Sequence, residues 1–174
     1  MLSRVARRSL SLRSLSTHSF ETHAYPPTGG HAFHLAVPVH DMSLARNFYG
    51  NILQCIEGRR NGDKWQDYSL YGHQIVCHFV GNDYRCIDYF NPVDGDEVPV
   101  LHFGVCVPKN TFHLLSQRLK EHNIQFIIPP TLRFEGQPGE QHTMFFKDPS
   151  GNNLEFKTMT YEENLFARYD VKEG

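Results

Sequence analysis

Ala32-Phe33-His34-Leu35-Ala36-Val37-Pro38-Val39 is a short apolar run broken by one polar position, His34, and reads as a strand. His34, Ala36 and Pro38 share one face of it. A polar break follows in which Asp41 or Ser43 can cap a helix; Leu44–Tyr49 supplies the helical apolar positions, and Gly50 is expected to stop it. Further strands are predicted at 53–58, 65–71 and 74–80, separated by the polar turn 60–64 and a hinge at Gly72-His73. Residues 32–80 therefore read as a β-α-β-β-β module.

Residues 81–99 break the rhythm. Arg85–Phe90 is a candidate short strand, and Asn91–Pro99 is turn-rich and acidic, suited to a connector. The first order then returns over residues 100–160. A strand at Val100–Val107 leads to a helix opened by Asn110 or Thr111 and running to His122. Strands follow at Ile124–Ile128, which Pro129-Pro130 interrupts, at Thr131–Phe134, at Gln141–Phe146 and at Asn153–Thr158. The expected fold class is α+β: two βαβββ modules in one domain, residues 32–160, forming a cupped, mostly antiparallel sheet around a cleft. Duplication lets a short chain bury a core, because each small sheet covers the other. The tail, residues 161–174, is charged, with Tyr161, Leu165, Phe166 and Tyr169 able to pack as a short helix.

Charge changes the picture at one end. The chain has 174 residues and a formal net charge of -2. Residues 1–20 hold Arg4, Arg7, Arg8 and Arg13 and no acid, so the remainder is distinctly acidic. That balance gives no cationic footprint for nucleic acid. The Arg- and Ser-rich head, punctuated by leucines, has the pattern of an organelle transit peptide; residues 1–24 are read as that peptide and its linker. Mitochondrial import is the preferred address and a plastid the alternative. No apolar run is long enough for a membrane-spanning helix, so no membrane is expected as a partner. Cys55, Cys77, Cys86 and Cys106 lack paired spacing and read as free thiols.

Candidate chemistry centres on Asp148-Pro149-Ser150-Gly151-Asn152, a tight turn that leads into a strand carrying Glu155 between Leu154 and Phe156. A buried carboxylate there needs a partner or a metal; on an edge strand it would simply face water. His34 and His102 stand at the same point of the first strand in each module. Either alone reads first as a satisfied core histidine. Together with Glu155 they offer two imidazoles and a carboxylate, a donor set suited to one divalent metal with open positions for substrate.

With these features the chain resembles the vicinal oxygen chelate superfamily, which holds glyoxalase I, the fosfomycin and bleomycin resistance proteins and the extradiol dioxygenases. The matching features are His34, Ala45-Arg46-Asn47-Phe48-Tyr49-Gly50 at the helix end, His102, and the Asp148–Asn152 turn before Glu155. The resemblance implies a metal held by His34, His102 and Glu155, Fe(II) being favoured and Zn, Mn, Ni or Co chemically admissible. It implies a small-molecule substrate that presents two adjacent oxygens, and a cleft built within one chain or across a homodimer. By turn position Val76 occupies the place equivalent to Glu155, where glyoxalase I typically has a fourth ligand. That departure shifts the expectation to extradiol-type dioxygenase chemistry. A glyoxalase- or isomerase-type lyase using enediolate chemistry is the alternative, and a non-catalytic small-molecule binding protein the non-enzymatic one. His78 and His142 are the candidate acid–base residues, and Arg133 a candidate contact for an anionic substrate.

Overall fold

The structure, a computed structural model, describes residues 30–171. The transit-peptide reading of residues 1–24 falls outside the described residues. Strand β1 (His34–Val39) begins the first module. Asp41 caps α1 (Met42–Arg46), its carboxylate accepting from the Ser43 and Leu44 amides. Gly50 does not end the helix. Asn47–Ile52 continues as a π-helical turn that buries Phe48, Tyr49 and Ile52, and this burial outweighs one glycine's poor helix propensity.

Strands β2 (Ile56–Asn61), β3 (Trp65–Leu70) and β4 (His73–Phe79) complete a four-stranded sheet of order β1-β4-β3-β2. Only the β1–β4 pair is parallel. The second module repeats the plan with β7 (His102–Cys106), α2 (Lys109–Glu121), β8 (Phe126–Arg133), β9 (Gln141–Lys147) and β10 (Asn153–Met159). Its order is β7-β10-β9-β8, again with one parallel pair. The α+β class and the two βαβββ units are as expected. Pro129-Pro130 lies within β8 as a register shift between Ile128 and Thr131. An edge strand tolerates two missing amides there, so the expected interruption becomes a bulge.

The connector also differs from expectation. Tyr89–Val93 (β5) and Asp96–Val100 (β6) form a separate hairpin whose turn holds Asp94 and Gly95, both at positive φ. Asp-Gly between alternating runs is the signal for such a turn. The hairpin folds over the second sheet: Val98 packs with Ile128 and Phe145, and Arg133 pairs with Asp94 at 3.7 Å and Asp96 at 3.8 Å and donates to the Val93 carbonyl. Arg133 is therefore a buried anchor neutralised by the hairpin's own acids, and its expected contact with an anionic substrate is not what the structure places there.

One face of each sheet enters a common core. Val37, Val39, Tyr68, Leu70, Ile75 and Cys77 from the first sheet join Met144, Phe146, Leu154 and Phe156 from the second, with Phe48, Phe112, Leu115 and Leu119 between them. Phe146 stacks on Phe156 at 5.9 Å, and Phe48 reaches Phe146 at 6.3 Å. The helix-bearing faces thus turn towards each other, which leaves the two opposite faces on the outside. Among the described residues no ladder joins the sheets, and β1 and β7 are both edges. Of the two arrangements expected, a cleft within one chain or across a homodimer, the chain by itself forms two back-to-back half-cups.

The Asp148–Asn152 turn locks this arrangement. Asp148 accepts from the Tyr49 hydroxyl at 3.0 Å, from the Ser150 and Asn152 amides, and from Asn152 Nδ2 at 2.7 Å. Asn152 Nδ2 also donates to the Pro38 carbonyl, and the His40 amide donates to Ser150 Oγ. Burial pushes the Asp148 carboxyl above its usual range despite these donors. The four cysteines are free; burial pushes the Cys55 thiol up to about 12, which keeps it protonated and unreactive.

Candidate metal centre

Strand parity sets what each outer face displays. On the second sheet Glu155 lies opposite Gly104 of β7 and Phe145 of β9, so His102, Glu155, Thr143 and Lys157 share the face away from α2. His102 Nε2 stands 3.3 Å from Glu155 Oε2. Its Nδ1 lies 2.6 Å from the Pro99 carbonyl oxygen, which can only accept, so Nδ1 carries the proton. Thr143 Oγ1 donates to Glu155 Oε1 at 2.7 Å, and the His102 ring sits edge-on to Phe145 at 5.2 Å. Both side chains are thus held by partners behind them, with Nε2 and Oε2 converging on one point.

The titration behaviour agrees with the geometry. The hydrogen bond to Glu155 raises His102 above the usual imidazole range; burial works against it and the Pro99 contact with it. Burial would raise Glu155, but His102, Lys157 and Thr143 together outweigh it and hold the carboxyl below its usual range.

On the first sheet His34 pairs with Gln74, Ala36 with Val76 and Pro38 with His78. The two parallel pairs superpose rung by rung: His34 corresponds to His102, and Val76 to Glu155. The equivalence inferred from turn position therefore holds in the register, and the first module has no carboxylate at that rung. His34 Nδ1 lies 2.7 Å from Gln74 Oε1. His34 is exposed, on a sheet whose outer face points away from that of Glu155.

Among the described residues no three His, Cys, Asp or Glu side chains gather into a metal cluster. Of the expected set His34, His102 and Glu155, two meet within the chain, and the shared core holds His34 on the opposite side. His78 is exposed on the His34 face, four residues along from Gln74. His142 lies on the core-side face of β9, against Phe112 at 6.3 Å and His113 at 6.2 Å. Burial, then Lys109 and His113, lower its pKa, and it does not reach the Glu155 face. Sequence reasoning missed Thr143, Gln74 and the Pro99 carbonyl; only the cross-strand register identifies the first two.

A family model, the Glyoxalase/Bleomycin resistance protein/Dioxygenase superfamily, matches residues 31–156. The chain belongs to this superfamily. The superfamily includes many metalloenzymes and commonly binds divalent metals. A glyoxalase/bleomycin resistance protein/dioxygenase from Alicyclobacillus acidocaldarius is similar at 31% identity and TM-score 0.66, over 79% of this chain and 97% of that one. The genomically encoded fosfomycin resistance protein FosX from Listeria monocytogenes shares the fold at 18% identity and TM-score 0.57, over 78% of this chain and 98% of its own. A virulence protein from Salmonella typhimurium does so at 18% identity and TM-score 0.53, over 75% and 98%. No curated protein matches the chain.

The residues present fit a divalent cation. Two ligands at right angles, each about 2.1 Å from a metal, lie about 3 Å apart, close to the observed 3.3 Å. Each imidazole has an acceptor at Nδ1, and the carboxylate has a donor at its second oxygen. That is the outer-shell pattern metal-ligating side chains require.

Proposed function

We propose that the protein is a divalent-metal-dependent enzyme acting on a small substrate with two adjacent oxygens, at a site completed when two copies pair. His34 of one copy would join His102 and Glu155 of the other. The observation that carries this reading is the His102–Glu155 convergence, each group braced from behind, beside a free sheet edge. The equivalent histidine lies on the other free edge. Exposed apolar residues flank these edges: Phe33 is 60% and Leu101 73% exposed, as expected for surfaces that a second copy covers.

Extradiol-type oxygenation of a catechol-like substrate is the reaction this reading favours. Two imidazoles and one carboxylate are the donor set of Fe(II) oxygenases, and Val76 in place of a fourth carboxylate leaves positions open. A bound Fe(II) would acidify the substrate hydroxyls and supply the redox chemistry with dioxygen. The chain's own contribution is to hold donors in place, with Thr143 and Pro99 fixing two of them and the hairpin screening that side from water. His78, exposed on the same sheet face as His34 and four rungs along from it, is the histidine proposed for proton transfer, in this step or in a glyoxalase- or isomerase-type one. The acid-free Arg-rich head supports mitochondrial import, which the location of a fluorescent fusion of residues 1–30 would test.

The test mixes two inactive variants. His34→Ala and His102→Ala proteins, each expected to lose tight metal binding, are co-refolded at equal amounts. Half the dimers are then mixed, and each mixed dimer holds one intact site, so about a quarter of the wild-type iron returns. No return of metal would sink the shared-site reading. Dioxygen uptake with catechol-type compounds then tests the reaction separately.

A further inference from the structure

Behind His34 lies a chain of side chains of which the metal-ligand assignment uses only the first, Gln74. Gln74 Oε1 lies 2.7 Å from His34 Nδ1, and Gln74 Nε2 donates to Asp67 Oδ2 at 3.1 Å. The same oxygen accepts from Arg59 Nε at 2.9 Å, and the Arg59 guanidinium lies over the Trp65 ring at 5.9 Å. Asp67 is nearly fully buried on the outer face of the first sheet, opposite Val76.

The chemistry of these groups fixes their direction. A carboxylate only accepts, so the Gln74 amide must turn its NH2 to Asp67 and its carbonyl oxygen to His34. A carbonyl oxygen only accepts as well, so the proton of neutral His34 must sit on Nδ1. Nε2 is then the atom with the free lone pair, and it faces outward. The second module reaches the same end by another route, through the Pro99 carbonyl on His102.

We propose that Asp67, acting through Gln74, is a positioning residue that sets the tautomer of His34 and so readies Nε2 to bind a metal. This rests on His34 being a ligand, but its first readout does not. Without Asp67 the Gln74 amide can rotate, offer its NH2 to Nδ1, and move the imidazole proton to Nε2. That tautomer cannot ligate through Nε2.

The experiment is side-chain ¹⁵N NMR of the histidines in the metal-free full chain, at about pH 8.5 where imidazoles are generally neutral. Wild-type His34 is expected as the single Nδ1–H form. Asp67→Ala should give a mixture or the Nε2–H form, whereas Asp67→Asn, which retains an acceptor oxygen, should stay close to wild type. Gln74→Leu, which removes the direct acceptor, serves if Asp67→Ala fails to fold. An Nε2–H form in the wild type, or an unchanged Nδ1–H form in folded Asp67→Ala, overturns the proposal; where Asp67→Ala fails to fold, an unchanged form in Gln74→Leu does so. Chelator-competition titration with Mn(II) gives the second readout: Asp67→Ala should bind about 10–100-fold more weakly. If His34→Ala binds Mn(II) as tightly as wild type while the NMR result stands, the ligand assignment fails and the tautomer device survives.

Discussion

Thr143 holds Glu155 from the next strand, its hydroxyl 2.7 Å from Oε1, and this leaves Oε2 free to face His102. A carboxylate with one oxygen occupied cannot swing to chelate through both. Thr143→Val keeps the shape and removes the donor. Divalent-metal affinity, measured by calorimetry, is expected to fall about tenfold, with the melting temperature of the metal-free protein changed by only a few degrees.

The same pair makes the metal-free protein's stability depend on pH. His102 titrates above its ordinary 6.5, so its contribution is full below 6.5 and is lost as pH rises through the raised value. Glu155 titrates below its ordinary 4.5, so its contribution is full above 4.5 and is lost as pH falls through the lowered value. Both are present together between 4.5 and 6.5. With a chelator present, wild type should exceed Glu155→Gln by about 1–2 kcal/mol near pH 5.5, and the gap should narrow in more alkaline buffer. Denaturant midpoints across that range check it; a gap that widens with pH would contradict the pairing.

Gly104 lies opposite Glu155 in the parallel ladder, and a Cβ there would fall 1.5 Å from the Glu155 carbonyl oxygen. Main chain cannot yield as a flexible side chain does. Gly104→Ala should therefore cost about 3 kcal/mol or more and displace Glu155. Thermal unfolding and metal titration should both register the loss, unlike Thr143→Val, which spares the fold.

The joint between modules yields a prediction about folding alone. Tyr49 donates to buried Asp148 across the two halves. Removing that donor with Tyr49→Phe leaves the carboxylate poorly compensated and should cost about 1–3 kcal/mol with metal affinity unchanged. Urea unfolding of wild type and variant measures it.

Much of this was legible in the chain. Short apolar runs bounded by turn residues mark the strands of both modules, and the matched positions of His34 and His102 reveal the repeat. The misreadings share a physical cause, which is that tertiary context overrides local signals. Gly50 stays helical because Phe48, Tyr49 and Ile52 are buried around it, and Pro129-Pro130 stays in β8 because an edge strand needs fewer amides. His142, a candidate acid–base residue by sequence, is turned to the core side by the one residue of parity that separates it from Thr143. The opposed outer faces could not be read at all, because hydrophobic periodicity shows which face is buried and not against what.

The hairpin supplies the last prediction. Arg133 touches neither His102 nor Glu155; it holds Val93, Asp94 and Asp96 at the turn end of β5 and β6. At the other end of β6 the Pro99 carbonyl receives the His102 proton. Freeing the turn should therefore loosen the brace on His102. Arg133→Ala leaves two acids without their cation and a buried space beside Gln141, so some stability is lost in any case. The diagnostic signs are elsewhere: faster proteolysis within residues 86–99, and a fall of about tenfold in metal affinity at a temperature where the variant is fully folded. Arg133→Lys retains charge but loses the fork that spans both acids, so it should recover only part of the protection. Normal metal binding by a variant whose hairpin is cut rapidly would show that His102 keeps its orientation without Pro99, and the hairpin would then be a cover for the face and no part of its bracing.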